Sequence, residues 1–308
     1  MNHSLNSYRC KSPVAFLVFN RPETTRKVFA EIANVRPKKL FVVADGPRRN
    51  CPGEKEQCEA VRTIIDSVDW DCELSIEYAE ENMGCARRVS SGIDWVFGKV
   101  EEAIFLEDDC LPHPSFFRFC DEMLERYRDD ERVMAVSGDN FQFGKKRWNY
   151  SYYFSRYVHV WGWASWRRAW KFYDLHMSNW PMVHDGGWLN DILEDRRATN
   201  FWTNVFEQAH RGKTGTWDYQ WVFACWLNSG LSIVPNVNLI SNIGFGAGAT
   251  HTSSKSRVAG MPTQEMIFPL THPPMVVRDS RADARAARLF FRTSRLSPIK
   301  RAVRHFLG

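Results

Sequence analysis

The feature that most constrains the fold is the alternation of short apolar runs with helical patterns along the first half of the chain. The apolar runs lie at 14–19, 40–44, 103–106 and 133–136, a further strand pattern at 73–78, and the helical patterns at 23–32, 54–67, 84–97 and 115–127. Short apolar runs of this kind are typical of buried strands. Strands that alternate with helices at this spacing predict an α/β protein with a mostly parallel central sheet and helices on both faces.

The second half of the chain has a different pattern, rich in tryptophan, tyrosine and glycine. Helical patterns near 165–172, 198–211 and 218–228 are not accompanied by regular strand alternation. The chain has thirteen tryptophans, and several lie among polar residues. Such an indole can fill a core or pack against the face of a sugar, and both interpretations stay open. Without an internal repeat or a low-complexity segment, one domain over residues 1–278 is favoured over two independent domains.

Composition places the chain among ordinary globular proteins. Hydrophobic residues make up 44% and charged residues 25% of the sequence, which are the proportions of soluble domains. No apolar run approaches the roughly 20 residues of a membrane span, and residues 1–12 lack the apolar core of a signal peptide. The eight cysteines form no CxxC pair and no zinc-type spacing. They are expected to be reduced thiols of a cytoplasmic protein.

Positive charge is concentrated at the end of the chain. The net charge is +5, and residues 278–308 contain nine Lys or Arg against two Asp, so the remainder is slightly acidic. Ser297 and Pro298 are suited to begin a final helix, in which Ile299, Val303 and Phe306 share one face. We predict a basic amphipathic tail over 279–308 that either binds an anionic membrane surface or packs on the domain. No nucleic-acid partner is expected.

Three adjacent carboxylates, Glu107, Asp108 and Asp109, directly follow the apolar run 103–106. In open α/β sheets, ligands bind just beyond the carboxyl ends of the strands. Adjacent acids repel each other unless a positive group compensates them, and Mg²⁺ or Mn²⁺ that also bridges to phosphate oxygens is the usual solution. The alternative is an acidic turn at a solvated edge. The triplet is therefore a candidate metal and phosphate site.

Further polar residues follow other predicted strands at the same edge. Asn20 and Arg21 end the first strand, where Arg21 could face a phosphate or a base. Asp45 ends the second strand and could accept hydrogen bonds from a ribose or base, or only shape its turn. Arg87 and Arg88 lie in the first turn of a helix that follows a glycine, a setting that suits a pyrophosphate or a simple capped helix.

Two features of the second half supply further candidate site residues. Asp218 lies between Trp217 and Trp221 at a predicted helix start. It is either a helix cap or a general base, because burial against aromatic rings raises the pKa of a carboxylate. The segment 242–251 is too rich in glycine for a strand and too apolar for a linker. It is either a loop that closes over a ligand or an ordinary surface loop.

These motifs, taken in order, resemble those of the GT-A glycosyltransferases. The order and spacing are most similar to bacterial nucleotide-diphospho-sugar transferases and to the N-acetylglucosaminyltransferases that begin complex N-glycan branching. The resemblance spans roughly residues 13–251. It depends on Phe16 to Pro22, Asp45-Gly46, Asn82 to Cys85, Glu107 to Asp109, and Trp217-Asp218.

The resemblance implies a Rossmann-like GT-A catalytic domain with a tryptophan-rich acceptor-side half. It implies that Asp45 contacts the nucleoside, that Asp109 coordinates Mn²⁺ or Mg²⁺, that Glu107 and Asp108 contact sugar and ribose, and that Asp218 is the base of an inverting reaction. The implied partners are a nucleotide-sugar donor, a UDP-sugar first among them, and a glycan or lipid-linked acceptor. The paired arginines after Gly84 depart from the family pattern, and the membrane-anchored stem of the eukaryotic enzymes is missing.

Two other functions are weighed against this one. A sugar-phosphate nucleotidyltransferase shares the sheet architecture, but such enzymes carry a Gly-rich basic loop after the first strand. Residues 20–25 contain no glycine. A non-catalytic carbohydrate-binding protein would use the tryptophans but would leave the acidic triplet and Asp218 unexplained. The expected function is therefore sugar transfer in bacterial polysaccharide or glycan assembly, in the cytoplasm or at the inner face of the cell membrane.

Overall fold

A computed structural model describes residues 8–245 and 258–290 of the chain. Its strands, in chain order, are β1 (Val14–Val18), β2 (Lys39–Ala44), β3 (Glu73–Tyr78), β4 (Glu102–Glu107), β5 (Cys110–Pro112), β6 (Val133–Ser137), β7 (Tyr152–Ser155), β8 (Trp163–Trp166), β9 (Leu231–Pro235) and β10 (Ile240–Asn242). Eight of them form one sheet in the order β3-β2-β1-β4-β8-β6-β9-β7, and β5 pairs with β10 in a small second sheet. The main sheet thus contains strands from both halves of the chain.

Helices flank this sheet. In the described residues they are α1 (Pro22–Val35), α2 (Glu54–Ile65), α3 (Cys85–Phe97), α4 (Ser115–Arg126), α5 (Arg167–Trp170), α6 (Trp180–Asp185), α7 (Leu189–Leu193), α8 (Arg196–His210), α9 (Asp218–Leu227) and α10 (Ser280–Phe290). The helix α3 packs on β1, β2 and β4, and α4 packs on β4, β6 and β8. The predicted α/β class, with a large central sheet flanked by helices, is confirmed.

Strand directions decide where a ligand site can form. The strands β1, β2, β3 and β4 are parallel, β8 is antiparallel to both β4 and β6, and β6 is parallel to β9. The carboxyl ends of β1, β2, β4 and β6 therefore lie at one edge of the sheet, which we call the carboxyl edge. Every residue of β1 and β6 is buried, as expected for strands covered on both faces.

The tryptophan-rich half departs from its predicted helices at one place. The pattern at 165–172 predicts a helix, but Trp163–Trp166 forms strand β8, and a helix of only four residues follows. All four residues of β8 are buried between β4 and β6, so the strand has no alternation of polar and apolar residues to reveal it. Ten of the thirteen indoles are buried, whereas Trp148 and Trp188 are largely exposed. The core interpretation therefore holds for most of them.

The first part of the basic C-terminal segment packs on the sheet. In α10, Ala282 and Ala286 are buried, and Asp283 accepts a 2.6 Å hydrogen bond from the Ser155 hydroxyl at the end of β7. The predicted final helix beyond Ser297 lies outside the described residues. No helix in the described ranges is both long and apolar enough to cross a membrane.

Candidate functional site

The acidic triplet lies at the carboxyl edge, where β4 ends beside β1. Glu107 is the last residue of β4 and pairs with Leu17 of β1. The next residue, Asp108, turns back to the same strand, and its Oδ2 accepts a 3.1 Å hydrogen bond from the backbone N–H of Phe19. Asp108 is 6% exposed. The first two acids are therefore held by the sheet itself rather than by a flexible turn.

Arg21 supplies positive charge to the triplet. It directly precedes α1, and its Nη1 lies 2.6 Å from Asp109 Oδ2 and 3.7 Å from Asp108 Oδ1. The predicted contact of Arg21 with a donor phosphate stays a prediction. In this structure its partners are carboxylates of the triplet.

One guanidinium does not neutralise three carboxylates. Burial, followed by the negative charges of Asp109, Asp108 and Asp218, raises the pKa of Glu107 to about 8. Burial and the charge of Asp109 likewise raise the pKa of Asp108 to about 7, although Arg21 and the N–H of Phe19 act in the opposite direction. A cluster with this excess of buried negative charge is electrostatically suited to a cation.

The predicted base, Asp218, lies close enough to the triplet for its charge to raise the pKa of Glu107. It is the first residue of α9 and is completely buried. Its Oδ1 accepts a hydrogen bond from the Thr216 hydroxyl, while Oδ2 has no hydrogen-bond partner among the described residues. Burial raises the pKa of Asp218 to about 6, as its flanking indoles predict. One carboxylate oxygen is thus anchored and the other is left to accept a proton.

Aromatic side chains pack around Asp218. The indoles of Trp163 and Trp217 are stacked with their centroids 5.5 Å apart, and Trp221 lies 5.9 Å from Trp163. The Tyr173 hydroxyl donates a 3.1 Å hydrogen bond to the Trp217 carbonyl, which fixes the residue before the carboxylate. This packing explains both the position of Asp218 and the direction of its pKa shift, since apolar surroundings disfavour the charged form.

Asp45 has a well-defined structural role. Its Oδ1 accepts hydrogen bonds from the N–H groups of Gly46 and Met83, and its Oδ2 from Asn82 Nδ2 and the N–H of Gly84, all between 2.8 and 3.0 Å. A carboxylate has about four acceptor sites, so its capacity is filled. The predicted nucleoside contact of Asp45 stays a prediction. The geometry favours an indirect role, in which Asp45 shapes the loop that leads into α3.

Three more predicted donor-binding residues lie at or near this edge. Asn20 donates a 2.9 Å hydrogen bond to Glu54 in α2. Arg88 is 5% exposed and donates to the Ala44 carbonyl at 3.0 Å and to the Glu77 carboxylate at 3.1 Å. It therefore ties α3 to the ends of β2 and β3. Arg87 is exposed to solvent, which makes it the better placed of the two arginines to meet a phosphate.

The glycine-rich segment begins directly against Asp109. The N–H of Ile243 donates a 2.8 Å hydrogen bond to the Asp109 carbonyl. A Cβ atom on Gly244 would lie 2.1 Å from Asp109 Oδ2, so a larger residue would have to displace the Asp109 side chain. Residues 246–257, which contain most of the predicted closing loop, lie outside the described residues. The described start of the segment forms one wall of the candidate site.

Gly244→Ala is expected to weaken donor binding because the added methyl group must displace the Asp109 carboxylate. Forced overpacking of this kind costs about 1–3 kcal/mol, which corresponds to roughly a tenfold loss of affinity or more. Calorimetric titration with a nucleotide sugar and Mn²⁺ measures it. Gly98→Ala is the control, because its Cβ would meet only backbone atoms of α3, at 3.3 Å or more. Equal donor affinity in both variants would contradict the contact.

Asp139 is a candidate that the motifs did not reveal. It follows β6 at the carboxyl edge, is completely buried, and neither carboxylate oxygen has a hydrogen-bond partner among the described residues. Burial raises the pKa of Asp139 well above its ordinary value. The signal was present in the sequence, since Asp139 follows an apolar run much as Asp45 does.

The oxygen ligands of the triplet fit a divalent cation that shares its coordination with a substrate. In the part of the chain that the structure describes, no three His, Cys, Asp or Glu side chains are arranged to hold a metal ion by themselves. Mg²⁺ is commonly bound through one or two carboxylates together with substrate phosphates. Asp109, at the end of the triplet and beside the glycine-rich segment, is the residue that would supply such a carboxylate.

A comparison of the chain with models of known protein families finds no match. A comparison with curated protein sequences finds no significant match either. Any statement about function must therefore come from the residues at the carboxyl edge and from their geometry.

Proposed function

We propose that the chain is a glycosyltransferase of the GT-A type that moves a sugar from a nucleotide-diphosphate donor to an acceptor hydroxyl with inversion. The observations that support this most are the acidic triplet at the carboxyl edge, where Arg21 lies 2.6 Å from Asp109, and the buried Asp218, whose Oδ2 has no hydrogen-bond partner among the described residues. A buried carboxylate with a free oxygen next to an acid-rich, phosphate-compatible cluster supplies the two functions that such a transfer requires. These are a base for the acceptor and a site for the leaving diphosphate.

On the acceptor side, Asp218 Oδ2 takes the proton of the attacking hydroxyl. The acceptor oxygen forms a bond to the anomeric carbon while the bond from that carbon to the diphosphate oxygen breaks, and the nucleoside diphosphate leaves with the bonding electrons. The hydrogen bond from Thr216 holds Oδ1 and so orients Oδ2. Because Asp218 is fully buried in this conformation, the surrounding side chains must move before an acceptor reaches it.

On the donor side, the chain must hold the diphosphate and balance its charge. A divalent cation bound there would neutralise the leaving diphosphate. Asp109 would hold that cation, which would leave the guanidinium of Arg21 able to pair with a phosphate oxygen. Glu107 and Asp108, fixed by β4 and by the N–H of Phe19, are placed to accept hydrogen bonds from sugar and ribose hydroxyls.

The proposal predicts an acidic limit to activity set by Asp218. A general base acts only when it is ionised, and burial places the pKa of Asp218 at about 6. The ionised fraction is nearly complete at pH 8 and falls about tenfold for each pH unit below 6. The ratio kcat/KM for the acceptor, measured at saturating donor from pH 4.5 to 8, should follow this curve. A profile that is flat from pH 5 to 8 would exclude Asp218 as the base.

A release assay tests the function itself. Purified protein is incubated with Mn²⁺ and, separately, UDP-, GDP- and dTDP-sugars, and free nucleoside diphosphate is measured with and without glycan acceptors. Release of a nucleoside diphosphate supports the transferase. Release of pyrophosphate from a nucleoside triphosphate and a sugar phosphate would instead support the nucleotidyltransferase. Sugar binding without turnover would support a carbohydrate-binding protein.

The wider setting follows from the same proposal. Residues 1–278 would form the catalytic domain, and the basic segment 279–308 would bring it to lipid-linked acceptors at the inner face of the cell membrane. The described part of that segment, α10, packs on β7, which favours a structural role for its first half. Vesicle flotation of the full chain and of a truncation after Phe290 separates the two roles, because only the residues beyond α10 are removed.

A further inference from the structure

A cavity outside the candidate site is lined by arginine. It has a volume of about 370 Å³ and lies where the end of β7, the junction between α7 and α8, and α10 meet. None of its residues belongs to the acidic triplet or to the surroundings of Asp218. Its charged lining consists of Arg156, Arg197, Arg278 and Arg288 with Glu194, Asp195 and Asp283.

Arg156 is the central residue of this cavity. Its side chain is only 9% exposed, and its Nε has no hydrogen-bond partner among the described residues. The carboxylate of Asp283 lies 3.6 Å from this Nε, and that of Glu194 lies 3.7 Å from Nη2. Both distances exceed the roughly 2.7–2.9 Å of a charge-assisted hydrogen bond. Its Nη1 donates a hydrogen bond to the carbonyl of Ile192, which holds the guanidinium at the wall of the cavity. An anionic ligand can replace the loose carboxylate contacts of this guanidinium.

Two of the three carboxylates are already engaged elsewhere. Asp195 caps α8 by accepting from the N–H groups of Arg197 and Ala198, at 2.9 and 2.8 Å. Asp283 accepts from the Ser155 hydroxyl at 2.6 Å, and burial raises the pKa of Asp283 to about 6. Asp195 is thus used as a helix cap, while Asp283 Oδ2 lies 3.6 Å from the Nε atoms of both Arg156 and Arg278, too far for a charge-assisted hydrogen bond.

Glu194 supplies an exposed carboxylate to the lining of the cavity. Its side chain is 67% exposed, yet its Oε2 reaches between two guanidinium groups, 3.7 Å from Arg156 and 3.3 Å from Arg278. A long exposed side chain gains little from such loose ion pairs. Its carboxylate therefore marks a position that a ligand anion with more oxygens, and thus more hydrogen bonds, can take over.

One face of the helix α10 lines the cavity. Ser280, Asp283, Ala284, Ala287 and Arg288 line it, and their spacing of three and four residues places them on one side of the helix. The small alanine side chains leave space for a ligand, and the exposed Arg288 is the last of these residues along the helix. Arg281, on another face of the same helix, does not line the cavity.

We propose that this cavity is a binding site for a phosphate group, held by Arg156, Arg278 and Arg288 in place of the Glu194 carboxylate. Guanidinium groups bind phosphate through paired hydrogen bonds. The volume lies in the range of small-molecule sites, so the phosphate can belong to a soluble phosphorylated metabolite or to a lipid headgroup. The site does not depend on the proposed transferase activity.

Three variants of the full chain test the site. Binding of inorganic phosphate and of inorganic pyrophosphate is measured by calorimetry in EDTA, which suppresses metal-dependent binding at the triplet. Arg288→Gln should lower the affinity about tenfold or more, because a hydrogen bond to a charged group contributes about 1.5–3 kcal/mol. Arg281→Gln removes the same charge from the same helix and should change nothing. Glu194→Gln removes the competing carboxylate and should strengthen binding.

A second arm identifies the source of the phosphate. Flotation with phosphatidic acid in phosphatidylcholine vesicles is compared for the same three variants. Vesicle binding that is lost in Arg288→Gln and kept in Arg281→Gln, without binding of soluble phosphate, assigns the site to a lipid headgroup. The proposal is overturned if neither probe binds the wild-type chain, or if Arg288→Gln and Arg281→Gln behave alike. Unchanged affinity in Glu194→Gln would also contradict it.

Discussion

Asp218→Asn is expected to lower turnover at least about 100-fold, the smaller end of what a general base contributes. The asparagine keeps the shape of the side chain and an oxygen that can accept the hydrogen bond from Thr216. It removes the proton-accepting capacity of Asp218, whose Oδ2 has no hydrogen-bond partner among the described residues. Single-turnover measurements with saturating donor report the chemical step directly, while donor affinity from calorimetry should barely change.

Asp139→Asn is the matched control for this variant. Both aspartates are completely buried, and burial raises the pKa of both. Burial raises the pKa of Asp139 and so favours its uncharged form, and an amide of the same shape should therefore preserve turnover. If Asp139→Asn loses activity and Asp218→Asn does not, the base is Asp139. Proton NMR of the product gives a second check, because retention of the anomeric configuration would exclude a single displacement.

Local patterns in the first half were sufficient to predict its strands and helices. The predicted strand at 73–78 matches β3, and the predicted helix at 54–67 contains α2. In this half of the chain, short strand patterns alternate with segments of helical periodicity. Turns that contain glycine, proline or acidic residues separate them. Parallel order follows from that alternation because a helix connects one strand to the next. The predictions succeeded where short-range pattern and global topology agree.

The aromatic half could not be predicted in the same way. The strands β7, β8 and β9 are short and almost entirely buried, so they have no alternation and resemble segments of a buried helix. Their pairing joins positions far apart in the chain, as when Phe154 of β7 lies beside Ile233 of β9. Sequence pattern does not encode such long-range pairing, so a mostly parallel sheet could be predicted but the antiparallel positions of β7 and β8 could not.

The candidate site, too, could be predicted from the sequence only in part. The position of the triplet at the end of a strand could be predicted, because an apolar run precedes it directly. The partners of its members could not. Arg21 meets Asp109 only because β1 and β4 are neighbours in the sheet, and Asp45 fills its acceptor sites only because a loop from after β3 folds back onto it. These contacts depend on tertiary packing rather than on local sequence.

Asp109→Ala is expected to abolish the metal dependence of nucleotide-sugar binding. The variant removes the carboxylate that is placed to hold the cation, and it leaves Arg21 without its 2.6 Å partner. The guanidinium of Arg21, which still lies near Asp108, can then attract a diphosphate. Residual binding should therefore be weak and the same in Mn²⁺ and in EDTA, whereas the wild-type chain should bind far more tightly in Mn²⁺. Calorimetric titrations under both conditions measure the difference.

Asp71→Ala is the control for this experiment, because the Asp71 side chain is fully exposed and the residue lies before β3, away from the carboxyl edge. Adding Arg21→Gln to Asp109→Ala separates the two charges. If the metal is held by Asp109 and the residual affinity comes from Arg21, the double variant should bind no diphosphate in either condition. Donor binding in Asp109→Ala that is as tight and as metal-dependent as in the wild type would show that the cation is held elsewhere. Unaltered circular dichroism in all variants would confirm that the losses of binding are local. An intact fold is expected because the mutually repelling carboxylates do not belong to the apolar core.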